Sequence, residues 1–238
     1  MDKQTQKNLL EMVKKNYDEV AEEFSETRRK EIWPELVRLA EPVKEGDRVL
    51  DVGCGNGRLL DALRKKQIIY LGLDSSKKLV HNAQALHIGY NFREGDILNL
   101  NQIPEFDFDY VFCVATLQHI PGRNLQIDAL KQLKNKVKNS GRIVITVWNL
   151  WGGEQNKKKS YKKLIWKFWL LKIIKKNRMD FGDIIFDWKN SQGERVSQRY
   201  YHAFRRCELK KIFKKSGLKI EKLYKDQYNY YAVLKKKK

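Results

Sequence analysis

The sequence predicts a single α/β domain built on a mostly parallel β-sheet. Between residues 48 and 148, short apolar segments alternate with segments of helical periodicity, which is typical of parallel strands covered by helices on both faces. Near the C-terminus, two apolar segments are separated only by residues 225–227, and so short a connection predicts an antiparallel hairpin that closes the sheet. The 238 residues, 42% of them apolar, suffice for one domain with a proper core, and two small domains are the alternative.

Residues 1–45 are predicted to form a cap of two helices ahead of the sheet. Apolar positions recur at helical spacing from Leu9 to Phe24. Trp33-Pro34 marks the start of the second helix, because proline is tolerated in a first helical turn. We see no apolar segment of a secretory signal here and expect a cytoplasmic protein. The cysteines lie far apart without CxxC spacing, which predicts neither a disulfide framework nor a metal site.

Residues 46–150 carry the alternation of strands and helices. The predicted strands are 48–53, 68–74, 90–96, 108–114 and 141–148, and the predicted helices are 58–66, 76–87 and 123–138. After Trp148 the alternation stops, and residues 152–198 form an insertion rich in lysine and tryptophan. Residues 199–238 then complete the domain with a helix, 206–216, and the two strands of the closing hairpin, 218–224 and 228–234.

A glycine-rich turn follows the first predicted strand. Gly53, Gly55 and Gly57 stand between that strand and the next helix, where glycine lets the backbone turn tightly and approach a ligand closely. The helix beyond supplies unpaired backbone N–H groups. The spacing differs from the dinucleotide motif GxGxxG, because residue 58 is an arginine that would crowd the packing of helix on strand. A nicotinamide-dependent dehydrogenase is therefore disfavoured.

Acidic residues follow the predicted strands at the same edge of the sheet. Asp74 ends the second strand, where a carboxylate can accept from both hydroxyls of a ribose. Asp96 follows the third strand, where it can meet the amino group of an adenine, with Ile97 as an apolar neighbour for the ring. Asp51 precedes the glycines and can hold a cationic amino group. Together these positions describe an adenosine that carries an amino acid.

The segment DVGCGNG (51–57), Asp74, the pair Gly95-Asp96 and the segment FDYVFCVATLQHI (108–120) together resemble the class I S-adenosylmethionine-dependent methyltransferases. The resemblance implies a Rossmann-like sheet of seven strands, the last one antiparallel, with S-adenosylmethionine at the carboxyl ends of the first two strands. The residues that it places at the cofactor are Asp51, Gly53, Cys54, Gly55, Gly57, Asp74, Ser75, Asp96, Ile97 and Val114.

Four further segments, 17–36, 115–121, 183–188 and 199–209, resemble one subfamily, the methyltransferases that esterify 5-carboxymethyluridine at the wobble position of tRNA. This resemblance implies a tRNA substrate and a small zinc-binding activator protein, as eukaryotic members have. A methyltransferase for small molecules or lipid precursors, in the cytoplasm or at a membrane surface, is the alternative. A cofactor-binding activator subunit without catalytic activity is the third possibility.

A carboxylate acceptor is already ionised at neutral pH, so its methylation requires orientation and desolvation rather than a strong base. Arginine can hold such a carboxylate, and we expect Arg28 and Arg199 to do so, with His202 as a further acceptor-side group. His119 is the candidate base for a hydroxyl or amine acceptor. Arg28 as a surface residue and His119 as a structural histidine are the alternatives. Side chains alternate along a strand, so we expect only one of the tyrosines at 200–201 to be in the core.

The net charge of +20 is unevenly distributed. Residues 1–150 hold 23 Lys and Arg against 21 Asp and Glu, whereas residues 151–238 hold 26 against 8. Such an excess favours a polyanion or an anionic surface as partner, and Arg205 and Arg206 are candidate phosphate contacts. The basic, aromatic segment 157–176 has three open interpretations: contact with phosphates, peripheral contact with an anionic membrane, or packing on the domain with lysines outward.

Overall fold

A computed structural model of the chain describes residues 1–27, 32–63, 66–152, 161–189 and 193–237. The strands, in chain order, are β1 (Arg48–Val52), β2 (Ile69–Asp74), β3 (Asn91–Glu94), β4 (Phe108–Val114), β5 (Val137–Trp148), β6 (Asp183–Lys189), β7 (Arg195–His202), β8 (Leu218–Lys225) and β9 (Asn229–Lys236). The helices are α1 (Lys3–Glu19), α2 (Ala21–Thr27), α3 (Pro34–Ala40), α4 (Leu60–Leu63), α5 (Lys77–Leu86), α6 (Arg123–Lys136), α7 (Tyr161–Ile173) and α8 (Arg206–Lys215).

Seven strands form one sheet in the order β3-β2-β1-β4-β5-β9-β8. The pairs among β1 to β5 are parallel, and β9 runs antiparallel to both β5 and β8. Six strands therefore share one direction and the last strand of the chain opposes them, which confirms the predicted fold and the closing hairpin. β5 begins at Val137, four residues before its predicted start, and an irregularity in its pairing with β4 accommodates the extra length.

Helices cover both faces of the sheet, as predicted. Neighbouring residues of β1 point to opposite sides, because side chains alternate along a strand. Leu50 joins the core cluster built with α6 and α8, and Val49 joins the cluster built with α3, α4 and α5. The α/β layering thus follows from apolar strands that are buried on both faces.

The N-terminal cap differs in detail from the prediction, since its described residues form three helices instead of two. Asp2 caps α1 by accepting from the backbone N–H of Thr5 at 2.8 Å. The long predicted helix is interrupted after Glu19, and a second helix starts at Ala21. Pro34 opens α3 at its first turn, as expected.

β6 and β7 form a separate antiparallel hairpin within the insertion, and β7 extends to His202, beyond the boundary predicted at residue 198. Tyr200 and Tyr201 are both completely buried, so the prediction of a single core tyrosine is wrong. Their side chains do alternate, but both faces of the hairpin are covered. Tyr200 packs with Leu9 of α1, and the ring of Tyr201 stacks on Trp148 with centroids 4.9 Å apart.

Candidate active site

A cleft of about 350 Å³ opens at the carboxyl ends of the parallel strands. It lies where the strand order changes direction between β1 and β4, the position at which open α/β sheets bind ligands. α1 and α2 cover the cleft from the opposite side with the apolar or aromatic residues Leu10, Val13, Tyr17 and Phe24. The volume is that of a small-molecule site.

The glycine turn forms the base of this cleft. Gly53 has a φ of +74° and Gly55 a φ of +56°, which are backbone conformations that glycine adopts without strain. A Cβ atom on Gly53 would overlap the side chain of Thr116, and one on Gly55 would lie 3.2 Å from the ring of Phe24. Gly57 does not line the cleft; a Cβ there would lie 2.7 Å from the ring of His87. The turn therefore keeps the backbone accessible to a ligand.

Asp51 presents an unused acceptor to the cleft. Its side chain is 1% exposed, and Oδ2 accepts from the hydroxyl of Tyr70 at 2.9 Å. Oδ1 is buried and has no hydrogen-bond partner within the described part of the chain. Burial raises the pKa of Asp51 to about 7. A buried acceptor without a donor fits the cationic amino group expected of the cofactor.

Asp74 is held at the end of β2 by two backbone donors. Oδ2 accepts from the N–H of Gly55 and Oδ1 from the N–H of Ser76, each at 2.9 Å. Burial raises the pKa of Asp74, and these hydrogen bonds oppose the shift. Each carboxylate oxygen retains a free lone pair, so Asp74 can still accept from the two hydroxyls of a ribose. The orientation of the carboxylate is fixed before any ligand binds.

The other predicted cofactor residues occupy the remaining walls. Asp96 accepts from the backbone N–H of Leu98 at 2.9 Å, which fixes its side chain beside the buried Ile97. Cys54, Ser75 and Val114 also line the cleft. With the exception of Gly57, the structure brings every predicted cofactor residue to this one cleft. S-adenosylmethionine therefore fits the donor and acceptor pattern of these residues.

His119 also lines the cleft, and its hydrogen bonds define its protonation. Nδ1 lies 3.2 Å from the carbonyl oxygen of Tyr200, and Nε2 lies 2.8 Å from the hydroxyl of Tyr17. A carbonyl only accepts, so Nδ1 carries the proton and Nε2 accepts from Tyr17. Burial lowers the pKa of His119 to about 3, so the ring is neutral. The sequence identified Tyr17 only as an apolar position of a helix, and its role here was missed.

Arg199 is buried beside this wall without a carboxylate partner among the described residues. It is 2% exposed, and its guanidinium lies 3.4 Å from the ring centroid of Trp188 and 5.4 Å from that of Tyr17. Its Nε donates to Oδ1 of Asn16 at 2.9 Å. Nη2 of Arg199 and Nδ2 of Asn16 are both buried donors without an acceptor in the described ranges. Two such donors on hydrogen-bonded side chains form a favourable environment for an anion. Arg28, the other predicted arginine, lies outside the described residues.

His202 lies outside the residues that line the cleft, as do Arg199 and Asn16, and it belongs to a separate buried cluster. Nδ1 lies 2.6 Å from Oδ1 of Asp183, and Nε2 lies 3.2 Å from Oε1 of Glu208. Asp183 also accepts from the hydroxyl of Tyr200 at 2.8 Å. Burial alone lowers the pKa of His202, but the two carboxylates outweigh burial and raise it to about 10. The charged imidazole thus joins β6, β7 and α8.

Known proteins resemble the chain in sequence. The family described as "Methyltransferase domain" matches residues 24–223. A tRNA (carboxymethyluridine(34)-5-O)-methyltransferase of Saccharomyces cerevisiae is 31% identical over 147 residues, which are 62% of this chain and 51% of that protein. A protein of the same name from Schizosaccharomyces pombe is 25% identical over 240 residues, covering 95% of this chain and 96% of the relative. The chain thus spans about half the length of the first relative and nearly all of the second.

Solved structures agree on the fold. A SAM-dependent methyltransferase of Methanosarcina mazei has a TM-score of 0.65 at 17% identity and covers 87% of this chain and 99% of its own. A methyltransferase of Haloferax volcanii, solved with the activator Trm112, has a TM-score of 0.61 at 18% identity. It covers 93% of this chain and 98% of its own. At such identities the likeness shows the architecture alone.

The His202 cluster leads to a prediction about stability and pH. A group whose pKa is higher in the folded protein stabilises the fold when protonated. The contribution of protonated His202 to the free energy of unfolding is therefore complete below pH 6.5, the usual pKa of histidine. It is lost as the pH rises through about 10. We expect His202→Gln to lower the free energy of unfolding by about 3 kcal/mol at pH 6, because it leaves buried carboxylates unpaired. The difference from wild type should shrink toward pH 10.

Urea denaturation at pH 6, 8 and 10 measures this difference. His81→Gln, at an exposed histidine of α5, is the matched control and should change stability by less than about 0.5 kcal/mol. If His202→Gln lowers the free energy of unfolding by the same amount from pH 6 to pH 10, the charge of His202 does not contribute to stability.

Proposed function

The chain belongs to the S-adenosylmethionine-dependent methyltransferases, and from this premise we propose that it methylates the carboxymethyl group of a wobble uridine in tRNA. The observation that carries this proposal is a pair of buried donors, Arg199 Nη2 and Asn16 Nδ2, that have no acceptor among the described residues. They lie behind the cleft wall, where the Arg199 guanidinium is 5.4 Å from the ring centroid of the lining residue Tyr17. Such donors match a carboxylate acceptor. The names of the relatives from two yeasts support the same acceptor.

When bound, S-adenosylmethionine supplies an electrophilic methyl group on its sulfonium. The residues of the chain hold and orient the reactants. Asp51 holds the amino group, Asp74 the ribose hydroxyls, and the open backbone at Gly53 and Gly55 permits close approach. Arg199 and Asn16 orient the acceptor carboxylate for in-line attack.

No proton has to leave a carboxylate before it attacks, and this agrees with the state of His119. Its Nε2 already accepts from Tyr17, and its pKa of about 3 makes it a poor base at neutral pH. We therefore assign His119 and Tyr17 to shaping the acceptor wall rather than to removing a proton.

The charge of the C-terminal part supports a nucleic acid as substrate. Residues 151–238 hold 26 Lys and Arg against 8 Asp and Glu, and binding to phosphates depends mainly on such charge. Cys54, Cys113 and Cys207 are free thiols, which suits the reducing cytoplasm that we propose as the compartment.

We also propose that a small zinc-binding activator of the Trm112 type docks at the edge of the sheet formed by β3. The Haloferax volcanii neighbour was solved in complex with such an activator. Among the described residues, β3 has a partner strand on one side only. Ile88, just before β3, is 90% exposed, and Ile69 at the start of β2 is 58% exposed. An open strand edge beside exposed aliphatic residues fits a protein partner.

The acceptor is tested by incubating the enzyme with methyl-labelled S-adenosylmethionine and tRNA from a strain that lacks this gene. The proposal expects label in a single uridine derivative that mild alkali releases as methanol, because the product is a methyl ester. Label that appears in a small-metabolite or lipid extract, and in no tRNA fraction, would contradict it.

Arg199→Lys keeps the positive charge and removes the planar guanidinium group, which can donate two hydrogen bonds to a carboxylate. We expect kcat/KM for tRNA to fall at least about tenfold, the value of one charge-assisted hydrogen bond, with the affinity for S-adenosylmethionine unchanged. Arg195→Lys is the control, because it makes the same change at an exposed arginine of β7 whose Nε lies 3.1 Å from Oδ1 of Asp187. If Arg195→Lys lowers kcat/KM for tRNA as much as Arg199→Lys does, the assignment of Arg199 is wrong.

The activator surface is tested by copurification with a tagged Trm112-type protein. Ile88→Glu places a charge at the most exposed aliphatic residue beside β3 and should abolish the complex. Val196→Glu, at the 42% exposed Val196 of β7, is the control and should leave the complex intact. Equal copurification of wild type and Ile88→Glu would exclude this edge.

A further inference from the structure

Helix α7, in the insertion, is apolar on both of its sides. On the inner side, the buried Ile165 and the half-buried Tyr161, Leu164 and Phe168 pack on the hairpin around Ile184. This packing accounts for one face of the helix. A helix on a protein surface ordinarily places polar side chains on its other face.

The outer face of α7 instead carries large apolar side chains. Trp166, Leu170 and Ile173 follow one another at the i, i+4, i+7 spacing of a single stripe. They are 52%, 55% and 56% exposed, and Ile174, directly after the helix, is 49% exposed. Four neighbouring large hydrophobic residues on one surface indicate a binding surface rather than isolated exposure.

Lysines border this stripe. At 100° per residue, Lys162 and Lys167 fall on its two sides, and both are exposed. Lys175 and Lys176 continue the positive charge beyond the end of the helix. No Asp or Glu occurs in the sequence from residue 155 to residue 179. The surface is therefore an apolar stripe with a lysine-rich border, and Asp180 adds one carboxylate 4.0 Å from Lys172 of α7.

We propose that the outer face of α7 attaches the protein to the surface of an anionic lipid bilayer. An interfacial helix inserts Trp, Leu and Ile at the boundary of the acyl chains and places lysines at the headgroups. The phosphate backbone of a nucleic acid would use the lysines and could stack a base on Trp166, but it leaves Leu170 and Ile173 without a role. The lipid surface is the partner that uses both the centre and the border of the stripe.

The proposed contact of α7 with the bilayer is peripheral. Within the ranges that the structure describes, no helix has the length and apolar character needed to cross a bilayer. α7 has 13 residues, and its inner face is already committed to the hairpin. The proposal does not depend on which methyl acceptor the enzyme uses.

Flotation with vesicles tests the proposal at physiological ionic strength. The wild-type chain should float with vesicles of phosphatidylcholine containing phosphatidylglycerol, and poorly with phosphatidylcholine alone. The triple variant Trp166→Ser, Leu170→Ser, Ile173→Ser keeps the net charge and should bind the anionic vesicles at least about tenfold more weakly, because the apolar anchor is gone.

A matched charge control separates the stripe from the general basicity of the chain. Lys210→Gln, Lys211→Gln and Lys214→Gln remove three positive charges from α8 and leave α7 intact, so vesicle affinity should stay within about threefold of wild type at this ionic strength. The single variant Trp166→Ser repeats the comparison of vesicle binding with wild type and changes the fold least. Thermal denaturation verifies that each variant is folded.

Three results would overturn the proposal. The first is wild-type protein that does not float with anionic vesicles. The second is a folded triple variant that floats as wild type does, which would mean that charge alone binds. The third is a triple variant that keeps vesicle binding but loses affinity for tRNA, which would make α7 a nucleic-acid surface. Methyl transfer to tRNA is measured separately, so failure here leaves the acceptor assignment unaffected.

Discussion

The rest of the site depends on the hydrogen bonds that tie the glycine turn after β1 to the end of β2. The N–H groups of Gly53 and Cys54 both donate to the carbonyl oxygen of Leu73, at 2.7 and 3.0 Å, and the N–H of Gly55 donates to Asp74. These bonds require the positive φ angles that glycine provides in the turn. They fix the ends of two strands together, so that Asp51 and Asp74 line the same cleft.

The proposed acceptor side is built from other elements than the cleft that we assign to the cofactor. Its residues come from the N-terminal cap, the segment after β4 and the insertion hairpin: Tyr17 and Asn16 from α1, His119, and Arg199 from β7. The sheet supplies most of the cleft, and in our proposal the added elements supply the groups that meet the acceptor. This division explains how one fold serves many acceptors. It also gives the hairpin a role, because β7 carries both Arg199 and the carbonyl that orients His119.

The sequence predicted the sheet and most of the residues that line the cleft at its edge because their signals are local. Asp51 and Asp74 stand at set distances from glycines that directly follow a strand, and strand ends in a parallel sheet meet at one edge. The Arg199–Asn16 pair could not be predicted in this way, since the two residues are 183 positions apart. From the sequence we predicted His202 as an acceptor-side group, whereas in the structure its two ring nitrogens contact Asp183 and Glu208. Both tyrosines of β7 are buried because α1 covers the second face of the hairpin. The alternation of side chains along a strand does not predict such tertiary packing.

The protonation of Asp51 offers the most direct test that this cleft holds the amino group of the cofactor. Burial raises the pKa of Asp51 to about 7, so part of the unliganded protein carries the proton at neutral pH. A bound ammonium favours the ionised carboxylate and expels this proton. Calorimetric titration with S-adenosylhomocysteine between pH 6 and pH 8, in buffers of different ionisation enthalpy, should show a net release of protons that decreases as the pH rises, and Asp51→Asn should abolish it. Binding without proton release, or equal release in the variant, would contradict the assignment of Asp51 to the cofactor.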